Sequence, residues 1–445
     1  MSQIEDSSTA KNTPRETVST GPGGIVFFFY SLLFFVFFGF ALVYYFPRLF
    51  GDSESRRGAR ERFGVLDEFS GRPVWIHAAS YGEMLAASIL IGELKKCRPQ
   101  VPVVVSTNTI TGKNAARENL PGVPCFFFPF DFFLTMKRAI GRINPRLVLV
   151  LEAEIWPGML RILSKRNIPC ALINARMSPG SFGRIQKIRG VFSSILDGFD
   201  RIVAQSDVYR KRYLDLGYDD SRIAVSGNIK YDARYREATV PDGLKGLFDR
   251  RPVFAAGSTH GGEEAVILDA YASMKKSIPD LLLVMAPRHL ERVEEVSGLI
   301  GQYPYRMVRR TDDALKTSTG DIDILLLDTM GELIGVIAAS DAVFVGGSLI
   351  PDVGGHNVLE AAAQKKPVLF GPHMENFPDI SRELVEAGGG FVVRNASEMA
   401  RMTTEFLQKT ELRERAGHHA MEVVERNRGA AARTLDAVLP LMGEA

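Results

Sequence analysis

Three stretches of this chain put carboxylates or glycines where α/β enzymes do chemistry. The first reads His77-Ala78-Ala79-Ser80-Tyr81-Gly82-Glu83 and follows the apolar run Val74-Trp75-Ile76. Gly82 permits a sharp turn, so Glu83 stands at the start of the helical pattern that begins near Met84. A carboxylate there can face a cleft between domains and act as general base toward a sugar hydroxyl. A helix dipole alone would also favour a glutamate at that place. The second stretch is Leu151-Glu152-Ala153-Glu154-Ile155-Trp156-Pro157, which closes a wholly apolar run. Alternate residues of a strand share a face, so Glu152 and Glu154 are expected to point together into the cleft at the carboxyl edge of a sheet. Charge at the end of a buried strand is costly unless it has a role.

The third stretch, 346–363, reads GGSLIPDVGGHNVLEAAA after the apolar Ala342-Val343-Phe344-Val345. Strand, glycine-rich loop and helix in that order present free backbone N–H groups and a helix dipole to a phosphate. Glu360, at the end of the helix's first turn, can accept from ribose hydroxyls. Three neighbouring strand ends have similar chemistry. Ala255-Ala256-Gly257-Ser258-Thr259-His260 leads into Glu263 and Glu264, Ala286-Pro287-Arg288-His289 supplies a guanidinium, and Asp328-Thr329-Met330-Gly331-Glu332-Leu333 follows the next apolar run. A guanidinium at a strand end is suited to bidentate phosphate contact. Four such loops on one sheet edge make a binding face for a nucleotide mono- or diphosphate. A separate element, Gly227-Asn228-Ile229-Lys230-Tyr231-Asp232, offers Lys230 to neutralise charge in the cleft.

Other chemistries find little here. The seven histidines form no metal-type spacing, so no metal is expected. Neither a nucleophile-elbow serine nor a P-loop lysine occurs. Cys97, Cys125 and Cys170 are scattered and odd in number, which fits reduced cytosolic thiols.

Positioning these groups requires a repeating βα pattern. Short apolar runs at 74–77, 101–105, 147–151, 171–173 and 202–204 alternate with amphipathic stretches, and the pattern restarts at 253–256, 281–285, 324–327, 342–345 and 367–370. Such alternation predicts parallel sheets, and 445 residues are too many for one core. The expected fold class is α/β: two Rossmann-like doubly wound domains facing a cleft, at 47–240 and 241–445, with the polar segment 234–251 as linker. Residues 1–24 read as a disordered tail. Residues 25–46 contain no charge, long enough to span a bilayer, with no small-residue cleavage site after them. Arg48, Arg56, Arg57, Arg60 and Arg62 follow, which places the bulk of the chain in the cytoplasm.

The formal charge of +2 conceals an asymmetry. Residues 47–240 hold 30 Lys and Arg against 19 Asp and Glu, a net +11, whereas 241–445 hold 22 against 30, a net −8. A basic half beside a membrane anchor implies an anionic lipid or membrane partner. Nucleic acid is not expected, because no aromatic-interleaved basic motif occurs and one half is acidic.

The ordered motifs HAASYGE, LEAEIWPGM, NARMS, SGNIKYD, AAGSTHGGEE, APRHLER, LLDTMGEL and GGSLIPDVGGHNVLEAA resemble those of bacterial 3-deoxy-D-manno-octulosonic acid (Kdo) transferases of lipid A and lipopolysaccharide biosynthesis, glycosyltransferase family 30. The match runs in order from about residue 50 to 425 and includes the anchor. The resemblance implies a GT-B fold and inverting, metal-independent transfer of Kdo. The donor would be CMP-Kdo, with no other cofactor. The acceptor would be the anionic tetraacyldisaccharide bisphosphate, lipid IVA, at the cytoplasmic face of the inner membrane. Glu83 would be the base. Glu152, with Glu154 as the alternative carboxylate, and Lys230 would support the transition state. Pro287, Arg288, Met330, Gly331, Glu332, Asn357, Val358, Leu359 and Glu360 would hold CMP. Ala153, Gly158, Tyr81 and Ala361 depart from the family's usual Thr, Asn, Val and Pro, and bear on acceptor fit more than on chemistry. The alternative is a nucleotide-sugar epimerase or another GT-B enzyme acting on a soluble substrate.

Overall fold

The computed structural model describes residues 53–233, 239–249, 251–313, 315 and 322–443. The tail at 1–24 and the apolar segment at 25–46 lie outside the described residues. Among the described residues no helix is long and apolar enough to cross a membrane. The chain forms two compact units: one runs to Asn228 and resumes at Ala431, and the other is Ile229–Ala430.

The first unit is a seven-stranded parallel sheet: β1 (Val74–His77), β2 (Val103–Thr107), β3 (Cys125–Phe127), β4 (Leu147–Leu151), β5 (Cys170–Ala175), β6 (Arg201–Ala204) and β7 (Ile223–Val225). Their spatial order is β3-β2-β1-β4-β5-β6-β7. Helices cover both faces of such a sheet, which is why β4 reads Leu-Val-Leu-Val-Leu without alternation and is buried throughout. Trp75, Met136, Ile140, Val148 and Leu163 pack one side of it, each fully buried. The direction of chain progression reverses between β1 and β4, which pair with His77 opposite Val150. In a doubly wound sheet that reversal leaves a crevice at the carboxyl ends of the two strands.

The second unit has the same plan: β8 (Val253–Thr259), β9 (Leu282–Pro287), β10 (Met307–Arg309), β11 (Ile324–Leu326), β12 (Ala342–Val345), β13 (Val368–Phe370) and β14 (Gly390–Val392). All pairs are parallel, in the order β10-β11-β9-β8-β12-β13-β14, and the reversal falls between β8 and β12. Phe254, Tyr271, Phe344 and Leu369 are buried in its core.

At the start of this unit Tyr231 is buried and its hydroxyl donates to Glu383 (3.1 Å), while Asp232 accepts from the backbone N–H of Gly429 (2.6 Å). Leu244, Leu247 and Phe248 pack into the same unit's core. The chain then returns to the first unit, where Arg433 donates to the Ser226 carbonyl (2.8 Å) and the Thr434 hydroxyl bonds the Ser226 hydroxyl (2.9 Å).

Candidate active site

At the β1/β4 reversal the loops after the two strands bring together groups from both carboxylate motifs. The helix Tyr81–Cys97 begins at Ser80, whose hydroxyl accepts from the Glu83 N–H (3.4 Å). The Glu83 carboxylate reaches back to the Ala79 N–H (2.7 Å) and the Ser80 hydroxyl (3.2 Å). Serine at the cap with glutamate three residues on is the pattern of a capping box, here with the carboxylate reaching one residue beyond the cap to the Ala79 N–H, and it fixes this half-buried side chain at the sheet's carboxyl edge. Glu83 thus has a structural role beside any chemical one.

Glu152 and Glu154 do not share a strand face, contrary to the alternation expected of them. The strand ends at Leu151, and Glu152 turns into the left-handed region with φ of 58°. Its N–H still donates to the Ile173 carbonyl (2.9 Å), but the left-handed turn ends the pleat and sends the two carboxylates to different partners. Glu152 is buried and accepts from Arg176 Nε at 2.6 Å. Burial works against the Arg176 charge, yet the pairing with Glu152, and to a smaller degree Glu83, raises its pKa above the ordinary arginine value. Glu154 is partly exposed, with Oε2 3.9 Å from His77 Nε2.

His77 is fully buried, with Nδ1 3.0 Å from the Ser106 hydroxyl, which also accepts from Trp75 Nε1 (2.8 Å). Its ring lies 4.0 Å from that of Phe128. No role for His77 or Arg176 followed from their motifs. A histidine closing an apolar strand was the available signal for the first.

Lys230 belongs to the second unit, on the turn Ile229–Asp232, with Nζ 5.2 Å from the centre of the Phe377 ring.

The glycine loop after β12 holds a different anion from the one expected. The backbone N–H groups of Gly347, Ser348 and Leu349 donate to the carboxylate of Glu263 at 2.7, 2.9 and 2.9 Å, and that of His260 joins them at 2.9 Å. Glu263 is completely buried. Gly346 and His356 also spend their N–H groups, on the carbonyls of Gly257 and Gly346. These amides are therefore not free to cradle a phosphate, because a side chain 84 to 86 residues away satisfies three of them. Glu264 next to it is buried as well, held by Thr259 (3.0 Å) and Arg292 (2.7 Å). Two consecutive buried glutamates were the missed feature. Their signal was a pair of carboxylates entering a helix whose following face is apolar.

The remaining nucleotide-loop residues gather at the carboxyl edge of the same sheet. Pro287 ends β9, and the Arg288 N–H donates to the Thr259 carbonyl (3.1 Å). Asn357 accepts from the Leu359 N–H (3.2 Å) and donates to Glu360 (3.2 Å). Burial pushes the Glu360 carboxyl pKa up, against the opposing pull of Asn357 and Arg288. Val358 and Leu359 are buried, so their side chains pack the core. Met330 is exposed and Gly331 has φ of 84°. Glu332 is partly buried, which by itself would raise its pKa. Hydrogen bonds from Arg310 (2.8 to 3.1 Å) and Thr329 prevail and hold it below the usual carboxylate range.

Two parallel, doubly wound α/β units resemble a known class of fold, that of GT-B glycosyltransferases. A solved glycosyltransferase from Rickettsia africae matches 85% of this chain and 100% of its own, with TM-score 0.55 at 16% identity. UDP-GlcNAc 2-epimerase from Neisseria meningitidis, solved bound to UDP-GlcNAc, matches 83% and 100% with TM-score 0.55 at 15% identity. Both likenesses are of fold alone. The sequence narrows the class. Residues 57–233 match the family described as 3-deoxy-D-manno-octulosonic-acid transferase (kdotransferase). The 3-deoxy-D-manno-octulosonic acid transferase of Haemophilus influenzae is 36% identical over 395 residues, 87% of this chain and 92% of that protein. The chain belongs to the Kdo transferase family and is a glycosyltransferase.

Proposed function

We propose that this enzyme transfers Kdo from CMP-Kdo to the anionic lipid A precursor, lipid IVA, in lipopolysaccharide core biosynthesis. The observation that carries the reading is the 36% identity to a Kdo transferase across nearly the whole of both chains. An epimerase reading has only the shared fold behind it.

In this reading Glu83 takes the proton of the acceptor hydroxyl, whose oxygen then attacks the anomeric carbon of Kdo. The bond to the CMP phosphate breaks on the opposite face, so the transfer inverts. Fixing the base by its capping contacts lowers the cost of orienting it. Arg176, beside Glu152 and within the field of Glu83, balances carboxylate charge at this edge. Arg288 and Lys230 would offset charge on the donor, in place of a metal ion.

The remaining parts of the proposal concern place. Residues 25–46 would anchor the enzyme in the inner membrane by a single span, with both units on the cytoplasmic face. Exposed Phe133 and Leu134 lie on a helix that also carries Lys137, Arg138 and Arg142, a combination suited to an anionic bilayer surface.

The test is purified full-length protein with CMP-Kdo and the tetraacylated disaccharide bisphosphate, products resolved by mass, with and without EDTA. Addition of Kdo in both samples is expected. No gain in mass would overturn the reading, and loss with EDTA alone would overturn metal independence.

A further inference from the structure

Three histidines meet at the β8/β12 reversal, on three different loops. His260 follows β8, His289 follows β9 and His356 lies in the glycine loop after β12. The Nε2 atoms of His260 and His356 are 2.8 Å apart, and their rings stack at 5.0 Å with an interplanar angle of 17°. The His289 ring meets that of His260 edge-on at 5.5 Å.

A 2.8 Å contact between two ring nitrogens admits one proton. One Nε2–H donates and the other Nε2 accepts, so the pair is neutral with its remaining proton on an Nδ1, or carries one positive charge. Burial is the main cause that keeps both rings neutral. It pushes His356 down to about 3, assisted by His260, Arg288 and His289. It lowers His260 as well, where Glu263 and Glu264 pull the other way while His289 and Arg292 add to the fall. The two nearby carboxylates cannot supply a stronger counter-charge, since Glu263 is spent on four backbone amides and Glu264 on Arg292 and Thr259. The His260–His356 pair is thus held neutral by burial, while the carboxylate of Glu291 lies on the far side of the cluster, 3.9 Å from His289 Nδ1.

Arg288 stands close enough to influence both His356 and Glu360, the residue assigned to the ribose in the donor reading. A nucleoside monophosphate held at Asn357 and Glu360 would carry its phosphate toward Arg288 and the histidines.

Resting on that donor reading, we propose that His260 and His356 form a proton-linked phosphate site: the neutral pair, which already shares a proton between its two Nε2 atoms, takes up one more from solvent when the phosphate of a nucleoside monophosphate arrives, on the bare Nδ1 of the donating ring. Glycosyl transfer turns a phosphodiester with one charge into a monoester whose second ionisation lies near about pH 6. The singly protonated pair would meet the charge that develops on the leaving CMP. Arg288 supplies a fixed positive charge and His289 packs edge-on against His260, while Glu263 holds the loop that positions His356.

Isothermal titration of the full-length protein with CMP tests this, at about pH 7.5, where the ligand is already doubly ionised. Buffers of different ionisation enthalpy separate the heat of binding from that of proton uptake. Uptake approaching one proton per CMP is expected. In His260→Gln and in His356→Gln that uptake should vanish, with affinity about tenfold weaker. The wild-type measurement stands even if a variant misfolds. Binding of CMP with heat independent of buffer would overturn the histidine proposal alone. Absence of CMP binding would overturn the donor reading and this proposal with it.

Discussion

The carboxylate of Glu263, at the entry to the helix after β8, accepts the backbone N–H of Ser348 at 2.9 Å in the loop after β12. Together with the amides of Gly347, Leu349 and His260 this makes a filled anion hole inside the second unit. The glycines serve the close approach: a Cβ on Gly346 would lie 2.5 Å from the Ser258 carbonyl and 2.8 Å from Glu263. The loop's conformation is therefore set before any nucleotide arrives.

Glu263→Ala should be among the more damaging single changes in the second unit. It strands four backbone donors in a dry interior, a loss of about 3 kcal/mol or more. Chemical denaturation would show it, and a cost under about 1 kcal/mol would mean that the loop re-satisfies its amides in another way.

Glu83→Gln should abolish transfer, by at least about a hundredfold, and leave CMP affinity near normal. An amide oxygen keeps part of the capping box, so the melting temperature should move little. Ser80→Ala gives the complementary result, a stability loss of about 1 kcal/mol with most activity kept. Initial rates and thermal melts on the two variants separate the base from the cap. Retained turnover in Glu83→Gln would remove Glu83 from the role of base.

Arg176→Met leaves Glu152 as a buried carboxylate without its 2.6 Å partner. The expected destabilisation is about 3 kcal/mol. Adding Glu152→Gln should restore much of it, and a double-mutant cycle without coupling would mean the pair is not a unit.

His356 gives stability a distinctive dependence on pH. Its folded pKa is pushed down to about 3 from an ordinary 6.5, so the unfolded chain protonates first as pH falls. Stability is whole above about 6.5 and is lost progressively toward about 3. Unfolding free energies of His356→Gln should therefore decline less steeply than the wild type's across that window, and parallel curves would contradict the assignment.

Gly158 stands where the resembled family usually carries Asn. Its N–H donates to Asp131 (2.7 Å), and a Cβ there would lie 2.7 Å from both the carbonyl oxygen and Oδ1 of Asp131. Gly158→Asn should cost about 1–3 kcal/mol through this overlap, read as a lower midpoint of urea unfolding. Unchanged stability would show that the Asp131 loop shifts freely.

The sheets were largely legible. Ten apolar runs correspond to the ten interior strands, because parallel strands buried on both faces must be apolar throughout. The four strands without a sequence signal, β3, β7, β10 and β14, are the four sheet edges. Each has three residues, paired on one side only, and Ile223-Ala224-Val225 or Gly390-Phe391-Val392 is too short to show a period.

The strand-end positions of the candidate residues were legible, and their hydrogen bonding less so. The loops carrying Glu83, Arg288 and Glu360 do lie at carboxyl sheet edges, as the strand-to-helix order requires. Periodicity could not foresee the left-handed φ at Glu152, since a non-glycine residue there is held by tertiary contacts such as the one to Arg176. Nor could it reveal that a carboxylate far off in sequence would claim the amides of Gly347 and Ser348.

The return of the chain to Ser226 through Arg433 and Thr434 bears on how this enzyme can be taken apart. The second unit is one continuous stretch of sequence, whereas the first is discontinuous. Exchanging the first unit between related enzymes therefore means transplanting two separated pieces of gene, and a single crossover near residue 228 would join a foreign carboxyl-terminal strap to a serine it did not evolve with.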